Sequence, residues 1–153
     1  MAPSSPQNPI PQTDYPAITK QAAAVINGKP TDVTSTQFLD KIMITISQDG
    51  RLAQWVHVPL ETQSPNFGEQ YIPSESNDDS LLPLPYLSPK TLLGGSTSER
   101  ETVGHLYASQ IASAIVARHP EETRTVLVGL GLTNLQNSRE VFYDIIDLVL
   151  RCL

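Results

Sequence analysis

Cysteine, basic clusters, aromatic residues and long apolar runs are all scarce in this chain, and each shortage removes a class of function. The one cysteine, Cys152, has no partner for an internal disulfide, and CxxC metal spacing is absent. A reducing compartment is the natural expectation. Ten Lys and Arg stand against sixteen Asp and Glu, a net charge of -6, and nowhere do the basic residues form a run. A phosphate-binding surface needs clustered cations, so no nucleic-acid partner is expected. No apolar stretch reaches the ~18 residues of a membrane span, so no membrane partner is expected either. The start, MAPSSPQNPIPQ, lacks both the charged and the apolar segment of a secretory signal. The expected location is the cytoplasm, with the nucleus as a second compartment.

The motifs of catalysis are missing as well. His57, His105 and His119 have no i, i+4 histidine partner and no HExxH context, so no metal site is expected. GGSTSER (94–100) has a glycine-rich turn but neither the spacing nor the lysine of a phosphate loop, and it reads as a helix cap. Gly129-Leu130-Gly131 falls inside a strand pattern rather than between strand and helix, unlike a dinucleotide turn. No GxSxG elbow occurs. Asp144 and Asp147, three apart on a helix, read as a solvated face. No catalytic residue, cofactor or metal is assigned, and the chain is read as a non-enzyme.

What is present is proline in two blocks and a clear alternation of strands and helices. Of thirteen prolines, five lie in residues 1–16 and six in 59–89. Residues 1–17 read as a disordered tail, and 61–85, with its SESNDDS run, as an irregular Pro/acidic loop within one domain spanning 18–153. Strands are predicted over Ala22–Ile26, Thr31–Phe38, Lys41–Ser47 and Leu52–Leu60, linked by turns at Asn27-Gly28 and Asp49-Gly50. Tyr86–Leu93 reads as a short returning strand. A helix follows to Arg118, capped by Thr97 or by a Ser98/Glu101 capping box, with Val103, Leu106, Tyr107, Ile111, Ala114 and Ile115 as its apolar stripe. His119-Pro120 ends it. A strand over Thr123–Leu132 precedes a last helix capped by Asn137, with Val141, Phe142, Ile145, Ile146 and Val149 on its apolar side. The fold class is α+β: a mainly antiparallel sheet from an N-terminal meander, with two C-terminal helices packed on one face.

Period-two alternation divides the strand residues between two faces. Ile42, Ile44, Ile46, Leu52, Val56, Val58, Leu60, Val126, Val128, Leu130 and Leu132 form an aliphatic face suited to lie under helices, with Gln54 as the exception. The opposite face carries Ser47, Ala53, Gly129 and Gly131 together with Met43, Thr45, Trp55, His57 and Leu127, five residues that make it mixed in character and include the chain's only tryptophan. Burying a Trp removes roughly 150–250 Å² from water, worth at most about 4–6 kcal/mol. Methionine and tryptophan in a polar surround suit a protein partner. These five residues are the candidate partner-binding site.

The segment Lys20–Pro59, KQAAAVINGKPTDVTSTQFLDKIMITISQDGRLAQWVHVP, resembles the start of the proteasome assembly chaperone 3 family. The shared pattern is a Lys-led strand, the turn Gly28-Lys29-Pro30, a Thr-rich strand ending at Phe38, an aliphatic strand and a turn at Gly50. Lys90-Thr91-Leu92-Leu93-Gly94, a helix, the strand from Thr125 to Leu132 and a closing helix continue it. The proline-rich tail and loop depart from the compact animal pattern and look like additions of a fungal member. The resemblance implies a chaperone that pairs with a second small chaperone, proteasome assembly chaperone 4, or with itself when alone. The pair would assist assembly of the 20S proteasome α-ring by engaging α-subunits, notably the fifth, without a nucleotide. A roadblock or longin-like dimerisation adaptor in a signalling or trafficking complex is the alternative. A roadblock domain usually opens with a helix, whereas this chain opens with strands.

Overall fold

In the computed structural model the described residues are 17–60, 87–133 and 138–153. The expected tail 1–17, save Ala17, and the expected loop 61–85 lie outside them, as do Tyr86, Asn134 and Asn137.

Among the described residues eight elements follow in order: β1 (Ile18–Ile26), β2 (Lys29–Gln37), β3 (Lys41–Gln48), β4 (Gln54–Val58), β5 (Lys90–Leu93), α1 (Ser98–Arg118), β6 (Thr125–Gly131) and α2 (Arg139–Leu150). The first two turns form where the residues tolerate positive φ: Asn27 at 49° with Gly28 at 75°, and Asp49 at 54° with Gly50 at 69°. β1, β2 and β3 make the expected antiparallel meander. β1 starts four residues earlier than its apolar pattern indicates, at Ile18, because backbone pairing with β2 continues through the exposed Thr19, Lys20 and Gln21.

The meander does not continue into β4. Although Gln48 and Arg51 close the turn with an isolated bridge, β6 is inserted between β3 and β4. The strand order is β1-β2-β3-β6-β4-β5, with β6 parallel to β3 and antiparallel to β4. The link from β3 to β4 therefore crosses the end of β6. Ala53 donates its N–H to the Leu130 carbonyl at 2.8 Å, and a Cβ added at Gly131 would sit 1.5 Å from the Arg51 carbonyl oxygen. Only glycine permits that crossing.

Both helices lie on one face. α1 packs on β4, β5 and β6, α2 on β1 and β2, and the helices touch each other, where the rings of Tyr107 and Phe142 stand 4.7 Å apart. The aliphatic face is buried, with Ile44, Ile46, Val56, Val58, Val126 and Val128 wholly enclosed, except at Leu52, which is exposed because it lies in the crossing link before β4. Of the expected stripe of α1, Val103, Tyr107, Ile111 and Ile115 are buried, whereas Leu106 is exposed and Ala114 half-buried, and Gly104, Ala108 and Ala112 are buried beside them. These small side chains let the helix approach closely, and Gln54 fills the space so made: a Cβ at Gly104 would fall 2.2 Å from its Nε2. The first helix is capped by Thr97, whose hydroxyl accepts from Arg100 N at 3.2 Å, so Ser98 is its first residue and the Ser98/Glu101 box does not form. The N-cap of α2 is Ser138, without a side-chain cap bond. His119 is the C-cap of α1, and its N–H donates to the Ile115 carbonyl.

Candidate partner-binding surface

The strand register assembles the mixed face residue by residue. Met43 of β3 lies beside Leu127 of β6, which lies beside His57 of β4, and this makes one row across the centre of the sheet. In the adjacent row Thr45 lies beside Gly129, and Gly129 beside Trp55. All five predicted residues, Met43, Thr45, Trp55, His57 and Leu127, thus lie together on the face opposite the helices, and each is half-buried. The rows extend outward through Thr36 and Thr19 on one line, and through Thr34 and Gln21 on the other. The Thr19 and Thr36 hydroxyls are 3.4 Å apart across the pair.

Gly129, which alternation also places on this face, supports the indole. A Cβ there would lie 2.9 Å from Trp55 Cη2 and Cζ3, so the ring lies against the glycine backbone. An alanine would lift it. A glycine inside a strand is the sequence signal of such a close approach. Across a bulge in the β4–β5 pairing, Leu93 stands opposite Trp55 and is 68% exposed, and Lys90 stands opposite His57. Leu93 belongs to the surface although alternation over its short strand did not single it out.

No three His, Cys, Asp or Glu side chains cluster to hold a metal among the described residues. His57 is in the sheet row just described. His105, on α1, is bonded to the Thr91 hydroxyl at 3.0 Å and lies 3.9 Å from Glu101. Asp147 pairs with Arg151 at 2.8 Å on the exposed side of α2. The most perturbed carboxyl is Glu122, in the turn before β6. Its hydrogen bonds with the Arg124 guanidinium hold it down to about 2. Arg124 also donates to the Phe38 carbonyl at 2.8 Å and to Gln37 Oε1 at 2.9 Å, so the ion pair pins the β2–β3 turn to the start of β6. This is a brace between strands, and it involves none of the five candidate residues.

No protein-family model matches the chain, and no curated protein matches it in sequence. Among solved structures it is similar to a chain in the crystal structure of a chaperone complex for yeast 20S proteasome assembly. The likeness covers 88% of this chain and 95% of that one, with a TM-score of 0.51 and 16% identity. The two chains share a fold. That fold, six strands under two helices with one sheet face left uncovered by them, is the one the residues predict, apart from the place of β6.

Proposed function

We propose that this protein is an assembly chaperone for the 20S proteasome α-ring. It acts as a heterodimer with a second small chaperone similar to proteasome assembly chaperone 4, and the pair engages α-subunits, notably the fifth. It carries out no catalysis, and it works in the cytoplasm and the nucleus. The observation that carries the reading is the fold shared along nearly the whole length with a chain of a yeast proteasome assembly chaperone complex. The mixed face supplies the chemistry such a role requires. Trp55, Met43 and Leu127 offer half-buried apolar area, and the flanking threonines and His57 offer polar groups that satisfy a partner without aggregating in its absence.

Affinity purification of the tagged full chain from cell extract, with identification of the bound chains, tests the reading. Recovery of a proteasome α-subunit together with a second small chaperone supports it. Recovery of neither overturns it. The surface is tested separately: the double variant Trp55→Ala, Met43→Ala should weaken association with the second chaperone by about 2 kcal/mol or more. Undiminished association would move the interface elsewhere on the molecule.

A further inference from the structure

The crossing of the β3–β4 link over the end of β6 leaves a recess of about 210 Å³ lined by Arg51, Ala53, Arg100, Gly131, Leu132 and Thr133. It lies at the carboxyl end of β6, two residues beyond Gly129, with Arg100 of the first turn of α1 on one side. Among the described residues no carboxylate lines it. Asp49, Glu99 and Glu101, the acidic residues nearest in sequence to its arginines, are exposed and are not part of the lining.

We propose that this recess is a binding site for a single oxyanion group, a carboxylate or a phosphate. The chain has few cations and a net charge of -6, yet two of its arginines meet here. Among the described residues neither Arg51 nor Arg100 has a side-chain hydrogen bond or an ion pair, whereas Arg124 and Arg151 are each paired with a carboxylate. A third cation stands at the same end: Lys29 Nζ donates to the Thr133 hydroxyl. Thr133 in turn donates to Gln48 Oε1 through its N–H at 3.1 Å and its hydroxyl at 3.3 Å, while Gln48 Nε2 donates to Thr31 and Thr31 donates to the Lys29 carbonyl. This closed ring of hydrogen bonds, anchored on the buried Gln48, fixes one wall of the recess. Two arginines on the lining of one recess supply the cationic donors that hold carboxylate and phosphate oxygens.

The site is tested by amide chemical-shift titration of the full chain with two probes at constant ionic strength: inorganic phosphate and acetyl-Asp-Glu-Asp-amide. One probe or both should give saturable shifts centred on Arg100, Gly131, Leu132 and Thr133, with affinity on the order of millimolar. The double variant Arg51→Gln, Arg100→Gln should weaken that affinity about tenfold or more. The single variant Arg100→Gln, on an exposed first helical turn, serves as a second reading should the double variant unfold. Tighter binding of the peptide assigns the site to an acidic side chain of a protein partner, and tighter binding of phosphate assigns it to the free ion. Absence of saturable shifts with both probes overturns the proposal. So does binding that Arg100→Gln leaves unchanged. Neither result bears on the chaperone reading, because none of the five candidate partner-binding residues lines the recess.

Discussion

The two faces of this sheet are made from alternate residues of the same strands, and they do opposite things. On the helix-covered side β3 presents Ile42, Ile44 and Ile46, all buried. On the other it presents Met43, Thr45 and Ser47, all half-buried. One peptide unit separates a residue that holds the fold together from one that is free to serve another molecule. The covered face selects for aliphatic shape, because close packing against α1 and α2 leaves no room for a changed volume. The open face selects for a compromise between apolar area and solubility.

Truncating the covered face gives the largest expected effect. Ile44→Ala should cost about 3–4 kcal/mol in urea unfolding, since the side chain is wholly enclosed between β2, β6 and the helices. A loss under about 1 kcal/mol would mean that the helices do not cover β3.

The next effect lies in the brace at the sheet's end, on neither face. Glu122 is depressed from 4.5 to about 2 by the Arg124 guanidinium. A carboxyl lowered by folding contributes stability that is fully present above its unfolded value and is lost as the pH falls through its folded value. Stability should therefore fall between about pH 4.5 and pH 2, and Glu122→Gln should remove that part of the acid slope. The pair is partly open to solvent, so the contribution at neutral pH should be about 1–2 kcal/mol. An identical acid slope in the variant would show that Arg124 holds the Phe38 carbonyl without help from Glu122.

Thr97→Ala comes third, at about 1 kcal/mol. It removes the hydroxyl that accepts from Arg100 N and leaves the first turn of α1 with an unpaired donor. If the Ser98/Glu101 box formed instead, Ser98→Ala would be the costlier change, and thermal melts of the two variants separate the alternatives.

What the residues revealed in advance was local. Turns announced themselves at Asn27-Gly28 and Asp49-Gly50, because the chemistry of positive φ lies in those residues. The division of faces followed from alternation, and the five candidate residues fell on one surface as a result. Strand order was not legible, because pairing between β3 and β6 is decided by groups some eighty residues apart. The hint lay in Gly129 and Gly131, two glycines in a strand otherwise aliphatic. One makes room for Trp55 and the other for the crossing chain. Helical spacing marks Val103, Tyr107, Ile111 and Ile115 of α1, all buried, but at the edge of the stripe hydropathy favours Leu106 where closeness to the sheet favours Gly104, Ala108 and Ala112.

The smallest expected change in stability is the most informative about the comparison. Met43→Ala removes a side chain from the open row beside Leu127 and Thr36, where solvent already reaches it. No enclosed cavity results, so the loss in unfolding free energy should be about 0.5 kcal/mol or less. That is a small fraction of the loss at its neighbour Ile44. In a binding assay with the second chaperone the order of the two residues should reverse. Met43→Ala should weaken association, while a milder change at the buried site, Ile44→Val, should leave it unaltered at a temperature where both variants are folded. If Met43→Ala were as costly to folding as Ile44→Ala, the open face would be a second core, covered by the chain itself, and the partner surface would have to be sought elsewhere.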